Sequence, residues 1–247
     1  MPRKNNSKNT SKEEEIVIPQ IKSDFKIKKF DLTDKQKNFL KLSLNNKTNI
    51  FFISGVAGSA KTFISVLSAL ELMKVHEELE LVYIRSLAES ADKSIGALPG
   101  SIDEKFDPFL LPLKEKLEEL LSPDDIKELL KSQRVTGIPV NFFRGASQNK
   151  KVVIVDEAQN MTFNECQTII TRIGKHSKFF FCGDPMQSDI GSKSGFEKMY
   201  NIFDSEDAQE WGIHCFEFNE EDIKRSEILK FIIKSLKSHK KISCSVN

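Results

Sequence analysis

The sequence has no closely spaced cysteines. Cys166, Cys182, Cys215 and Cys244 lie far apart, with no Cys-x-x-Cys or Cys/His ligand spacing. A structural zinc site is therefore not expected, and reduced thiols in a cytoplasmic setting are. It has no long apolar run: nothing approaches the roughly 20 residues of a membrane span. A membrane is thus not expected as a partner. It has no charge imbalance either. The 37 Lys and Arg offset 36 Asp and Glu, a net charge of +1, so nucleic-acid binding would need a local patch. No internal repeat is visible. Met1 to Lys12 is basic and rich in Asn and Ser, with only the short apolar run Ile16-Val17-Ile18 behind it and no long apolar segment, unlike a secretory signal. The 247 residues suit one large α/β domain, alone or with appendages.

The most consequential absence is a single glycine. After the apolar run Ile50-Phe51-Phe52-Ile53, the chain reads Gly55-Val56-Ala57-Gly58-Ser59-Ala60-Lys61-Thr62. This is the phosphate-loop pattern G-x-x-x-x-G-K-[ST] with Ala60 in place of the second glycine. In such a loop, backbone N–H groups at the start of the following helix face the β-phosphate. Lys61 neutralises β/γ-phosphate charge and the Thr62 hydroxyl ligates Mg²⁺. Gly55 and Gly58 allow the turn and a close backbone approach. The expectation is that Ala60 needs only helix-entry dihedrals, which a Cβ tolerates, and that Gly58 carries the positive φ. Taken alone, the segment also fits an ordinary strand–turn–helix corner.

The periodicity around the loop predicts alternating strands and helices. Residues 1–30 read as a flexible polar arm, 31–240 as the folded domain and 241–247 as a short tail. Thr33 caps a helix to residue 44, and Phe63, Ile64, Val66, Leu67 and Leu70 mark another at 62–75. Further helices are expected at 113–121, 123–131, 162–173 and 226–236, and strands at 49–54, 81–85, 135–140, 151–155, 178–182 and 214–218. Residues 86–112 hold three prolines and two glycines and show no period. The alternation predicts a mostly parallel sheet covered by helices on both faces.

Two later segments belong with the loop. Val152-Val153-Ile154-Val155 ends in Asp156-Glu157-Ala158-Gln159. A buried strand here would deliver Asp156 to the carboxyl edge of the sheet, where open α/β sheets bind ligands. Asp156 is the expected Mg²⁺-side acid and Glu157 the general base for an attacking water. Phe179-Phe180-Phe181-Cys182 likewise runs into Gly183-Asp184-Pro185-Met186-Gln187, where Gln187 could contact γ-phosphate or orient water.

Gln36 precedes the loop strand and could read an adenine edge, or simply be a polar residue on a surface helix. Arg85 ends a strand and could contact a γ-phosphate, a neighbouring subunit's nucleotide or a nucleic-acid phosphate. Lys-rich segments at 22–29 and 234–241 are the candidate basic patches; solvated charge is the plainer reading of both.

Together these residues resemble the PhoH-like ATPases, which are similar to the first motor domain of superfamily-one helicases. The resemblance includes Arg85, Gly96-Ala97-Leu98-Pro99-Gly100-Ser101-Ile102-Asp103-Glu104-Lys105, Phe143-Arg144-Gly145 and Asp156-Glu157-Ala158-Gln159-Asn160. It continues through Thr171-Arg172-Ile173-Gly174 and Gly183-Asp184 with Gln187, over roughly residues 32–236. It implies a RecA-like P-loop fold, ATP binding, Mg²⁺-dependent hydrolysis, a link to RNA or single-stranded DNA, and a homo-oligomeric ring such as a hexamer. The chain departs from the family at Ala60 and again at Asp222-Ile223-Lys224-Arg225-Ser226-Glu227, where Arg225 remains as a γ-phosphate or inter-subunit candidate. Arg144 and Arg172 could be fingers supplied in trans, or ordinary surface arginines. Three functions compete: an ATPase acting on nucleic acid, a nucleotide-binding regulator with little turnover, and a ring whose nucleotide only fixes the interface.

Overall fold

Short runs of aliphatic and aromatic residues become strands buried on both faces, and the segments between them become the covering helices. A computed structural model describes residues 25–86, 102–140, 143, 145, 147–223 and 227–244, with backbone only at 102–109, 229 and 237–244. Helix α1 (Asp34–Ser43) is followed by β1 (Ile50–Gly55), α2 (Lys61–Val75) and β2 (Glu80–Arg85). Then come α3 (Ile102–Leu120), α4 (Pro123–Lys131), β3 (Val135–Pro139) and β4 (Lys151–Asp156). The chain continues through α5 (Phe163–Ile170), β5 (Lys178–Gly183), α6 (Phe196–Phe203), α7 (Glu206–Glu210), β6 (Ile213–Phe218) and α8 (Glu227–Cys244).

Among the described residues the six strands form one sheet in the order β3-β2-β4-β5-β1-β6, and every pairing is parallel. The expected α/β class, a P-loop fold of the RecA-like type, is the observed one. One strand, β5, separates the loop strand β1 from the acidic strand β4. Because all strands run the same way, Gly55, Asp156, Gly183 and Arg85 finish on one edge.

Strand alternation sorts the core into two layers. Phe51, Ile53, Tyr83, Ile154, Phe180 and Cys182 face α1, α2, α3 and α4. Phe52, Ile84, Val153, Val155, Phe179 and Phe181 face α5 and α6. Rings on neighbouring strands stack, Phe51 on Phe180 at 5.2 Å and Phe52 on Phe181 at 4.9 Å.

The structure corrects three expected boundaries. Helix α3 starts at Ile102 instead of 113 and runs through Pro108 and Pro112. An interior proline costs a helix about 3 kcal/mol. Leu113, Leu117 and Leu120, all fully buried on this helix, each contribute about 1.5–3 kcal/mol, about 4.5–9 kcal/mol together against about 6 kcal/mol for the two prolines, so packing offsets the local break. Helix α8 extends past 236 to Cys244, into the segment read as a tail. Part of the presumed arm is docked. Phe25 is 5% exposed, the Lys28 N–H donates to the Leu120 carbonyl at 2.9 Å, and Phe30 meets Phe63 edge to face at 5.0 Å.

Candidate functional site

The loop after β1 turns sharply into α2. Gly58 has φ 77°, and Ser59 ties the turn by donating to the Val56 carbonyl through its hydroxyl at 2.7 Å. Ala60 departs from expectation. Its φ of 66° and ψ of 22° are left-handed, not helix-entry, dihedrals. A Cβ in that region meets its own backbone oxygen, at a cost of about 1–2 kcal/mol. Gly58, at a variable position of the motif, and Ala60, in place of its second glycine, therefore both carry positive φ. No side chain caps α2 at Ala60, so its first-turn N–H groups are left for an anion.

At the cleft floor, loop and acidic strand meet. Thr62 donates its hydroxyl to Asp156 Oδ1 at 2.8 Å, and the Tyr83 hydroxyl donates to Asp156 Oδ2 at 2.5 Å. Tyr83 is 1% exposed, and burial together with the adjacent Asp156 carboxylate pushes its pKa far up, so it remains a donor. Lys61 Nζ donates to the Gly55 carbonyl at 2.6 Å and the Val56 carbonyl at 3.1 Å. Burial pulls its pKa below the ordinary lysine value, while the carboxylates of Asp184, Asp156 and Glu157 pull it back up. A threonine hydroxyl beside a carboxylate is an oxygen-only donor set suited to Mg²⁺, which takes few protein ligands and completes its shell with water and phosphate. Among the described residues no cluster of three acidic, His or Cys side chains is positioned for a metal.

Glu157 also has left-handed backbone, φ 52° and ψ 38°. Strain of this kind at a functional position costs on the order of 1–3 kcal/mol and persists only where neighbours hold it. Here the neighbours are Gln159, whose Nε2 donates to Glu157 Oε2 at 2.6 Å, and Arg85, 3.9 Å from Oε1. Gln159 Oε1 accepts from the Asp184 N–H at 3.0 Å. Asp184 in turn accepts from the Met186 N–H at 3.0 Å and from Gln187 Nε2. A line of hydrogen bonds thus joins the tip of β4 to the turn after β5.

The cleft has a volume of about 460 Å³ and extends from these acids to an aromatic end, a size suited to a small ligand. Gln36, Phe30, Leu32 and Phe63 line that end. Gln36 is 2% exposed and closes a capping box, accepting from the Thr33 N–H at 3.0 Å through Oε1. One of the two lone pairs on its amide oxygen is thereby used within the helix cap, and the second lone pair and the Nε2 donors remain for a ligand.

Ala57, Gly58, Ala60, Lys61, Thr62, Gln36, Asp156, Glu157 and Gln187 line this one cleft. Gly55, Val56 and Ser59 do not line it; the Gly55 and Val56 carbonyls accept from Lys61 Nζ, and Ser59 bonds the Val56 carbonyl within the turn. Arg85 meets the site through Glu157. Arg225 and Arg144 lie outside the described residues. Arg172 follows α5 and precedes β5, at the amino edge of the sheet and away from the cleft. The sequence reading missed Tyr83, Gln159, Phe30 and Phe63. Tyr83 alone carried a signal: a lone hydroxyl in the buried strand Leu81-Val82-Tyr83-Ile84 needs a partner.

The family model described as PhoH-like protein matches residues 29–237. A PhoH-like protein of Synechocystis sp. is 31% identical over 205 residues, covering 82% of this chain and 60% of the relative. One from Bacillus subtilis is 31% identical over 191 residues, covering 76% and 58%. Protein PhoH of Escherichia coli is 30% identical over 199 residues, covering 79% and 54%. The chain thus spans a little over half the length of these relatives. Among solved structures, the large terminase of a thermophilic bacteriophage aligns with a TM-score of 0.47 at 14% identity, covering 80% of this chain and 48% of that one. Bacteroides sp. Pif1 in complex with ADP-AlF4 aligns at 0.37 and 16%, covering 80% and 44%.

Proposed function

The chain belongs to the PhoH-like protein family, and from that premise we propose that it binds ATP with Mg²⁺ and hydrolyses it. One observation carries the reading: Lys61, Thr62, Asp156 and Glu157, from two distant segments, line a single cleft above an uncapped helix start. The aromatic end with Gln36 suits the base and the α2 terminus suits the phosphates. Thr62 and Asp156 would hold Mg²⁺, which when bound neutralises phosphate charge and orients the terminal phosphates. Lys61 leaves its loop carbonyls for phosphate oxygens. Glu157 takes a proton from the water that attacks the γ-phosphorus, and the bond to the β–γ bridging oxygen breaks, releasing ADP and phosphate. The Arg85–Glu157 pair is partly exposed and worth only about 0–1 kcal/mol, so it yields readily to an incoming phosphate.

The test is phosphate release and nucleotide binding measured side by side. Lys61→Ala should lose binding or turnover. Glu157→Gln should bind ATP but turn it over about 10²–10⁴-fold more slowly. Full hydrolysis by the Glu157→Gln protein would remove Glu157 from its role.

Coupling to RNA or single-stranded DNA is the finer part of the proposal, and a nucleic-acid-stimulated rate that fades with added salt would support it. Self-assembly is a further part. The exposed apolar stripe Ile228, Phe231, Ile232 and Leu236 on α8 supports it, and light scattering with and without ATP is its check. A cytoplasmic setting fits the free thiols Cys166, Cys182 and Cys215. Among the described residues no helix is long and apolar enough to cross a membrane.

The strained Ala60 favours a second reading, a nucleotide-binding regulator with little turnover. Tight calorimetric ATP binding without phosphate release, with or without RNA, would select it.

A further inference from the structure

Strands β2 and β4 are neighbours in register, Tyr83 opposite Ile154 and Arg85 opposite Asp156. Tyr83 therefore sits two residues short of the carboxyl edge, with its ring in the core layer under α2 and its hydroxyl reaching up to Asp156. A phenylalanine would fill the same apolar space. A hydroxyl in that space costs free energy unless it is hydrogen-bonded, and here it bonds to the acid at the centre of the site.

Two hydroxyls converge on the Asp156 carboxylate. Tyr83 donates to Asp156 Oδ2, and Thr62 donates to Asp156 Oδ1. Thr62 spends its only hydroxyl proton on Asp156, so its oxygen lone pairs face away from the acid. The orientation of the Thr62 oxygen thus depends on Asp156, and that of Asp156 on Tyr83.

We propose that Tyr83 is a positioning residue for the cation site, fixing the Asp156 carboxylate so that Asp156 and Thr62 present their oxygens to Mg²⁺ together. The inference rests on the assignment of Asp156 and Thr62 made above. Buried groups that orient a metal-side carboxylate change metal affinity or activity by roughly 10–100-fold when removed.

The experiment uses the full chain, a fluorescent non-hydrolysable ATP analogue and a Mg²⁺ titration, with EDTA as the cation-free reference. Tyr83→Phe is expected to bind the analogue in EDTA as the parent does. It should need roughly 10–100-fold more Mg²⁺ for the half-maximal response. With Mg²⁺ saturating, kcat should fall while KM for ATP stays within about threefold. An unchanged Mg²⁺ requirement in folded Tyr83→Phe overturns the proposal, provided Asp156→Ala loses its Mg²⁺ response. If Asp156→Ala keeps the parent's response, the site assignment itself falls. Should Tyr83→Phe fold poorly, the Tyr83→Phe, Asp156→Ala double variant decides. Removing both partners is cheaper than stranding one, so the double variant should lose less thermal stability than the sum of the singles. Additive losses would overturn the pairing.

Discussion

Gln159 holds Glu157: its Nε2 donates to Glu157 Oε2 at 2.6 Å while its Oε1 accepts from the Asp184 backbone N–H at 3.0 Å. One amide, 1% exposed, joins the acid after β4 to the turn that carries Gln187. The left-handed backbone of Glu157 is thereby braced from the side chain.

That bracing makes Gln159 a sensitive position. Gln159→Ala strands the Asp184 N–H in a buried setting, which costs about 1–3 kcal/mol, and frees the Glu157 carboxylate to wander. Turnover should fall about 10–100-fold while ATP affinity stays within about threefold. Separate kcat and KM values, with a thermal melt, check this. A kcat at the parent level would show that the brace is dispensable.

Ala60→Gly should stabilise the protein. Relief of the left-handed Cβ returns about 1–2 kcal/mol, against about 0.4–1 kcal/mol lost to the more flexible unfolded chain. The net gain is about 0–1.6 kcal/mol, a rise of up to roughly 6 °C in Tm. Gly58→Val should do the reverse and abolish nucleotide binding, because a β-branched residue cannot adopt φ 77°. Thermal melts and an ATP titration of both variants read the outcome, and a lower Tm for Ala60→Gly would contradict the strain argument.

Lys178 predicts a pH effect far from the cleft. Its ammonium is buried at the amino edge of the sheet, donating to the Asn45 and Thr48 carbonyls, and burial pulls its pKa down to about 8. The unfolded chain keeps this proton to the ordinary lysine value of 10.5. Between those values the unfolded state binds more protons, so the Lys178 contribution to stability rises with pH. Cys166 and Cys182, pushed up to about 12 by burial, act in the opposite sense above their ordinary value of 9.0. The window from pH 8 to 9 lies below the range in which those thiols act, and comparison with Lys178→Met cancels the contribution of Lys61, whose pKa burial also lowers. The Tm difference between the parent and Lys178→Met should shift in the parent's favour across it; a flat difference would refute the assignment.

Much of the site was legible because it is written in short segments. Gly55 to Thr62 is a contiguous loop, and Val152 to Glu157 is a contiguous strand with its acids. A parallel sheet must bring such strand ends to one edge, so the partnership of Thr62 with Asp156 followed from topology. The helix through Pro108 and Pro112 was not legible, because the side chains that offset the prolines find their partners across the core.

The sequence by itself determined the strand–helix alternation, the phosphate loop and the two acids, since each is set by local periodicity and covalent spacing. Only the tertiary structure decided that Ala60 is left-handed, that Tyr83 reaches Asp156, that Gln159 spans Glu157 and Asp184, and that Phe30 closes on Phe63. The physical reason is the same for each. A backbone dihedral in a tight turn and a hydrogen bond across a sheet are fixed by packing against residues remote in the chain, which no local pattern records.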